Sequence, residues 1–188
     1  MRQVFLPWNK SNMTLQQIED AGLRLGVRDQ IVFLNLVAAA LQDDLLGFHL
    51  AQAPDLRELG FLNYISASSE ILGDALKHTA RYSLIANEGV SLKYSDAKDV
   101  CIAFQYIGVS RHLDRHQIEF FMVLLLRLAR HLTGFRLVPI HMGLAHRRES
   151  NCVEFLDFFG ADVLMRSYLH QVPSICLSLA LTLTSISY

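Results

Sequence analysis

The hydrophobic period of this chain changes twice, and that change constrains its fold more than any single motif. Apolar residues recur at helical spacing up to Gly89. They then alternate with period two through VSLKY (90–94) and VCIAFQYI (100–107), and return to helical spacing after Asp114. Helical stripes and alternating strands in one chain bury their apolar faces against each other.

The helical part divides at capping residues. Residues 14–24 can form a short helix with Thr14 as its N-cap. Asp29 can cap a helix through Leu41, and Asp43 or Asp44 can cap a second, LLGFHLA. Pro54 suits the first turn of a third, DLRELGFLNYISA. Ser69 can cap a long helix to about Asn87, with Leu72, Ala75, Leu76, Thr79 and Ser83 as its inner face and Gly89 as its stop.

VSLKY and VCIAFQYI, joined by the turn SDAKD, read as a β-hairpin, with Val100, Ile102, Phe104 and Tyr106 on one face. Asp114 then caps a second long helix, with Gln117 as capping-box partner. Its stripe is Ile118, Phe121, Met122, Leu125, Leu128, Ala129 and Leu132, and Gly134 ends it. A strand kinked by Pro139 (136–145), a short helix over 151–159 stopped by Gly160, and a strand at ADVLM complete the order. The tail alternates Leu177, Leu179, Leu181 and Leu183 with Ser178, Ala180, Thr182 and Thr184, a further strand pattern. The expected fold is α+β: several N-terminal helices, then α-ββ-α-β-α-β, with helices packed on a small, mostly antiparallel sheet.

Composition narrows the function. Of 188 residues 52% are hydrophobic and 19% charged, which argues against disorder and leaves apolar surface for a ligand or partner. The net charge of -1 does not suit a nucleic-acid binder, although residues 111 to 148 carry seven Arg against Asp114 and Glu119. Residues 56–82 have a helix-turn-helix rhythm but no basic bias, so no direct DNA contact is expected there. Cys101, Cys152 and Cys176 are odd in number and far apart, which argues against a disulfide framework or zinc site and for a reducing, cytoplasmic setting. MRQVFLPWNK lacks the apolar core of a signal peptide. FFMVLLL (120–126) is too short to span a bilayer, and the uncharged tail from Val172 reads as a strand or misfit tail rather than an anchor.

Four constellations could carry chemistry. His112 and His116, with Glu119 beyond, have metal-ligand spacing, but the adjacent Arg111 and Arg115 disfavour a dication. Arg111, His112, Arg115 and His116 crowd a helix N-terminus, where the dipole already favours an anion; the alternative is neutralisation by an acidic neighbour. Cys152, even with His141 or His146 nearby, lacks an activating motif and reads as inert core, while His146-Arg147-Arg148 reads as an exposed loop. Tyr64, Tyr82, Phe104, Tyr106 and Phe121 lie on elements expected to pack together, as core or as the lining of a small-molecule pocket. The candidate ligand-binding residues are therefore Tyr64, Tyr82, Phe104, Tyr106, Arg111, His112, Arg115 and His116, with no catalytic residue, metal or cofactor assigned.

Read in order, DDLLGFHLA, LRELGFLNYISASSEILGDALKHTARYSLIANEGVSLKY, RHQIEFFMVLLLRLARHLTG, RLVPIHMGLAHRR and FLDFFGADV resemble the N-terminal, arabinose-binding-type domain of AraC-family transcription regulators over residues 28 to 163. The resemblance implies a sensor and dimerisation domain that answers a small effector, not necessarily arabinose, and that precedes a helix-turn-helix half. Residues 1–27 are then a lead-in, and 164–188 an atypical apolar tail where that family continues differently, as a truncation or frame change would leave it. The expected function is a regulatory domain lacking its DNA-binding half. Its partners would be an unknown effector and a second copy or a full-length relative, with no nucleic acid and no membrane. The alternatives are a non-functional remnant of such a regulator, a small metal-binding or enzymatic protein, or a domain tethered to a membrane by its tail.

Overall fold

The structure is a computed structural model and describes residues 25–53, 55–97, 99–108, 114–144, 146, 152–160 and 172–177. Helix α1 (Val27–Leu41) is followed by α2 (Leu46–Gln52), a 3-10 turn (Leu56–Leu59), α3 (Phe61–Ala67) and α4 (Leu72–Ala86). The hairpin strands β1 (Val90–Ser95) and β2 (Val100–Tyr106) come next. They lead into α5 (Arg115–Thr133), β3 (His141–Gly143), α6 (Cys152–Phe159) and β4 (Ser174–Leu177). Among the described residues six helices and one antiparallel sheet make the α+β fold that the two periods predict. Residues 14–24, the ADVLM strand and the tail beyond residue 177 lie outside the described residues.

Several caps differ from their sequence assignment. Helix α1 starts at Val27 after Gly26, so Asp29 sits in its first turn. Asp43 accepts from Leu45 N–H (2.9 Å) just before α2, whose N-cap position is Leu45. The expected helix after Pro54 is two pieces. Asp55 caps the 3-10 turn by accepting from Arg57 N–H, and Gly60 at φ 55° turns the chain into α3, a conformation that costs other residues a Cβ clash. Ile71 rather than Ser69 is the N-cap position of α4; the Ser69 hydroxyl lies 3.2 Å from His78 Nδ1 instead. Asp114 occupies the N-cap of α5 without a side-chain capping bond, and Gln117 donates away from the helix to Gln30 Oε1 at 2.8 Å. Gln117 and Ser69 thus bond outside the helix turns they were expected to cap.

The sheet runs β1-β2-β4-β3, every neighbouring pair antiparallel. Among the described residues of the expected 136–145 strand, His141–Gly143 is extended in the ladder. Strand β4 enters between β2 and β3, so β3 joins the sheet only through it. Alternation decides the faces. Ile102, Ile175 and Met142 stand in one buried row, with Val100, Phe104 and Leu177 on the same face. The opposite face carries the row Cys101, Cys176 and His141.

Cys101 and Cys176 are joined by a disulfide across β2 and β4, with Cα atoms 4.1 Å apart. This corrects the expectation, drawn from their odd number and wide spacing, that the cysteines form no disulfide. Their separation of 75 residues hid a direct cross-strand pairing that only the ladder register creates.

The core lies between the buried sheet face and the helices. Helix α4 packs on β1 and β2, and α5 is clasped by α1, α2, α3 and α4. The inner-face residues of α4 are all buried, and on α5 Ile118, Met122, Leu125, Leu128, Ala129 and Leu132 are buried while Phe121 is half-buried. Phe48 of α2 packs against Phe155 and Phe158 of α6, with ring centroids 5.7 and 5.4 Å apart. No single helix among the described residues is long and apolar enough to cross a membrane; only α1 and α2 together reach that composition, bent by 100°.

Candidate functional site

A cavity of about 300 Å³ opens between α4, α5 and the hairpin. Its position follows from the two periods. Helix α5 turns Phe120, Phe121 and Leu124 toward it beside the buried Leu125 and Leu128, and the hairpin contributes Val90, Leu92 and Phe104 from its helix-facing side. Leu59 closes one edge. Thr79, Ser83 and Asn87, one helical turn apart along the end of α4, supply the polar side chains of the wall among the described residues.

Those three polar groups already have partners. The Thr79 hydroxyl donates to Ala75 C=O (2.8 Å) and lies 2.7 Å from the Ser66 hydroxyl. Ser83 donates to Ala80 C=O at 3.0 Å. Asn87 accepts from Gly89 N–H at 2.9 Å and donates to Gln30 Oε1 at 3.3 Å. Among the described residues no charged side chain lines the cavity.

Of the six candidate residues that lie among the described residues, Phe104 is the one that reaches the cavity wall. Tyr64 projects outward from α3, 67% exposed. Tyr82 is half-buried with the Arg81 guanidinium 5.4 Å from its ring centroid. Tyr106 is half-buried at the end of β2 and does not line the cavity. Arg111 and His112 lie outside the described residues. Arg115 pairs with Asp44, and its guanidinium also lies 3.5 Å from His116 Nε2. His116 is buried, its Nδ1 3.5 Å from the Gly47 N–H.

His146 is not the exposed loop residue that its basic neighbours suggest. Its Nε2 lies 2.7 Å from Oε1 of Glu119, which is fully buried on α5. Among the described residues no group of three or more His, Cys, Asp or Glu is placed to hold a metal ion. Cys152 opens α6.

Sequence reasoning missed Leu59, Leu92, Phe120 and Leu124 as cavity residues. A signal was present in Phe120 and Leu124: they flank the buried stripe of α5, widening it beyond what one packing partner covers.

A family model described as the arabinose-binding domain of AraC transcription regulator, N-terminal, matches residues 9–170. The match extends beyond both ends of the 28–163 stretch that carries the resemblance, and β4 falls outside it. The fold is similar to a crystal structure of the transcriptional regulator CdpR from Pseudomonas aeruginosa, with a TM-score of 0.56 and 14% identity over 80% of this chain and 52% of that one. The chain therefore spans about half the length of that structure. Among curated proteins none matches in sequence.

Proposed function

We propose that this chain, which belongs to the family of arabinose-binding N-terminal domains of AraC transcription regulators, works as the effector-sensing and self-associating part of such a regulator. The family is one of regulatory domains rather than of enzymes. In this reading DNA is contacted by a separate helix-turn-helix half, and the chain has no DNA-reading element of its own. The cavity between α4, α5 and the hairpin carries the reading, because it lies wholly within the family-matched residues and has the concave, mostly apolar form of a small-molecule site. A ligand there would touch two helices and a hairpin at once, so its binding would bias how α4 and α5 pack on the sheet.

The lack of DNA contact is supported by charge. Residues 56–82 form the 3-10 turn, α3 and most of α4, and Arg57, one of their few cations, is paired with Asp55. Selection from a randomised DNA pool with the purified chain should enrich no motif; an enriched motif overturns this part. Sedimentation equilibrium should show concentration-dependent dimers; a monomer throughout the micromolar range overturns self-association.

A further inference from the structure

We infer that the cavity takes an uncharged, predominantly apolar small molecule of about ten non-hydrogen atoms, with at most one hydrogen-bond acceptor placed beside Asn87, and that it rejects free sugars. This rests on the reading of the cavity as the effector site. Its volume of about 300 Å³ corresponds to the liquid share of roughly ten waters, at about 30 Å³ each. Leu59, Leu92, Phe120, Phe121 and Leu124 are only half-buried, so the wall is reached from solvent without unfolding a helix.

The chemistry of the wall selects the ligand. A sugar brings several hydroxyls, each able to donate once and accept twice. In this cavity they would meet Leu and Phe side chains and three polar groups whose donors, one Asn87 N–H apart, are already used inside the protein. Buried hydroxyls without partners are penalised individually, so several together oppose binding. A carboxylate or ammonium fares worse, because no charged side chain among the described residues lines the wall. Among the described residues one donor is left over: Asn87 Nδ2 carries two N–H bonds and uses one on Gln30. An aliphatic or aromatic body with a single carbonyl, ether or hydroxyl oxygen would bury its apolar surface and give that oxygen a donor.

The test is thermal unfolding of the full 188-residue chain with 1-octanol, sodium octanoate at pH 7 and L-arabinose as probes. Octanol should raise the Tm saturably, octanoate should need at least a tenfold higher concentration for the same rise, and arabinose should leave it unchanged. Leu92→Trp, which fills the cavity, should abolish the octanol effect; Leu124→Phe, at the rim, should weaken it and serves if the first variant does not fold. No saturable rise with octanol overturns the proposal. A rise with arabinose that Leu92→Trp removes overturns the ligand class but leaves the cavity as the effector site. An octanol effect that both variants leave intact overturns the site as well.

Discussion

Gly47 on α2 lies directly against the backbone of His116 on α5: a Cβ built on Gly47 would stand 1.9 Å from the His116 carbonyl oxygen. The two helices therefore touch backbone to backbone at the N-terminal end of α5, next to the Arg115–Asp44 ion pair. This crossing positions α5, and α5 forms one wall of the cavity.

Gly47→Ala should destabilise the fold by about 3 kcal/mol, since backbone cannot yield as a flexible side chain can. For a chain of this length that lowers the Tm by roughly 6–12 °C. A variant with wild-type Tm in differential scanning calorimetry would mean that α2 and α5 separate cheaply.

The Cys101–Cys176 bond closes a long loop, with a sequence separation of 75. Loop entropy alone places its contribution at roughly 4 kcal/mol as an upper figure. Cys176→Ser, or reduction of the wild-type chain, should lower the denaturation midpoint, and hydrogen exchange should rise first in β4 and β3, which depends on β4 for its place in the sheet. Equal midpoints with and without dithiothreitol would show that the bond contributes nothing.

His49 sits between Asp43 (2.8 Å) and Glu154 (3.3 Å). The hydrogen bond to Asp43 raises its pKa above the usual 6.5, against the opposing effect of burial. Burial pushes Asp43 up, but the His49 hydrogen bond and the Leu45 N–H outweigh it, and the carboxyl stays below its ordinary value. The His49 contribution is thus fully present below pH 6.5 and is lost as pH rises through its folded pKa. The Asp43 contribution is present above the ordinary carboxylate range and is lost on acidification. With His49 42% exposed, the bridge is worth at most about 1 kcal/mol. An imidazole titration midpoint at or below 6.5 by NMR would contradict this, as would a His49→Gln variant with an unchanged stability profile between pH 5 and 8.

Arg130 joins the end of α5 to two other segments. Its Nε and Nη2 donate to Leu137 C=O at 3.0 and 2.7 Å, Nη2 also donates to Phe158 C=O at 2.7 Å, and the guanidinium lies 4.6 Å from the Phe158 ring centroid. Arg130→Ala should cost about 2–3 kcal/mol, because charged donors to partly buried carbonyls are strong and their loss leaves acceptors unpaired. Arg130→Lys should recover only part of this, since an ammonium lacks the planar fork. Urea denaturation of the two variants checks the order; full recovery by Lys would reduce the interaction to simple charge.

The local features were legible in the sequence. The hairpin 90–94 and 100–107 appears as Val90–Ser95 and Val100–Tyr106, and α5 begins after Asp114 and ends before Gly134 as the periodicity predicts. The family was legible too, through the order of its segments. These features depend on neighbours a few residues apart, and periodicity records such neighbours directly. Tertiary structure alone decided the rest. It seated β4 between β2 and β3, bonded Cys101 to Cys176, and turned Gln117 from a capping role toward Gln30. It also left the gap between α4, α5 and the hairpin that makes Phe104 a wall residue while Tyr64 faces outward. Each of these depends on register or packing between segments tens of residues apart. A hydrophobic pattern says which face of a segment is buried, but not which distant segment buries it or where the two fail to meet.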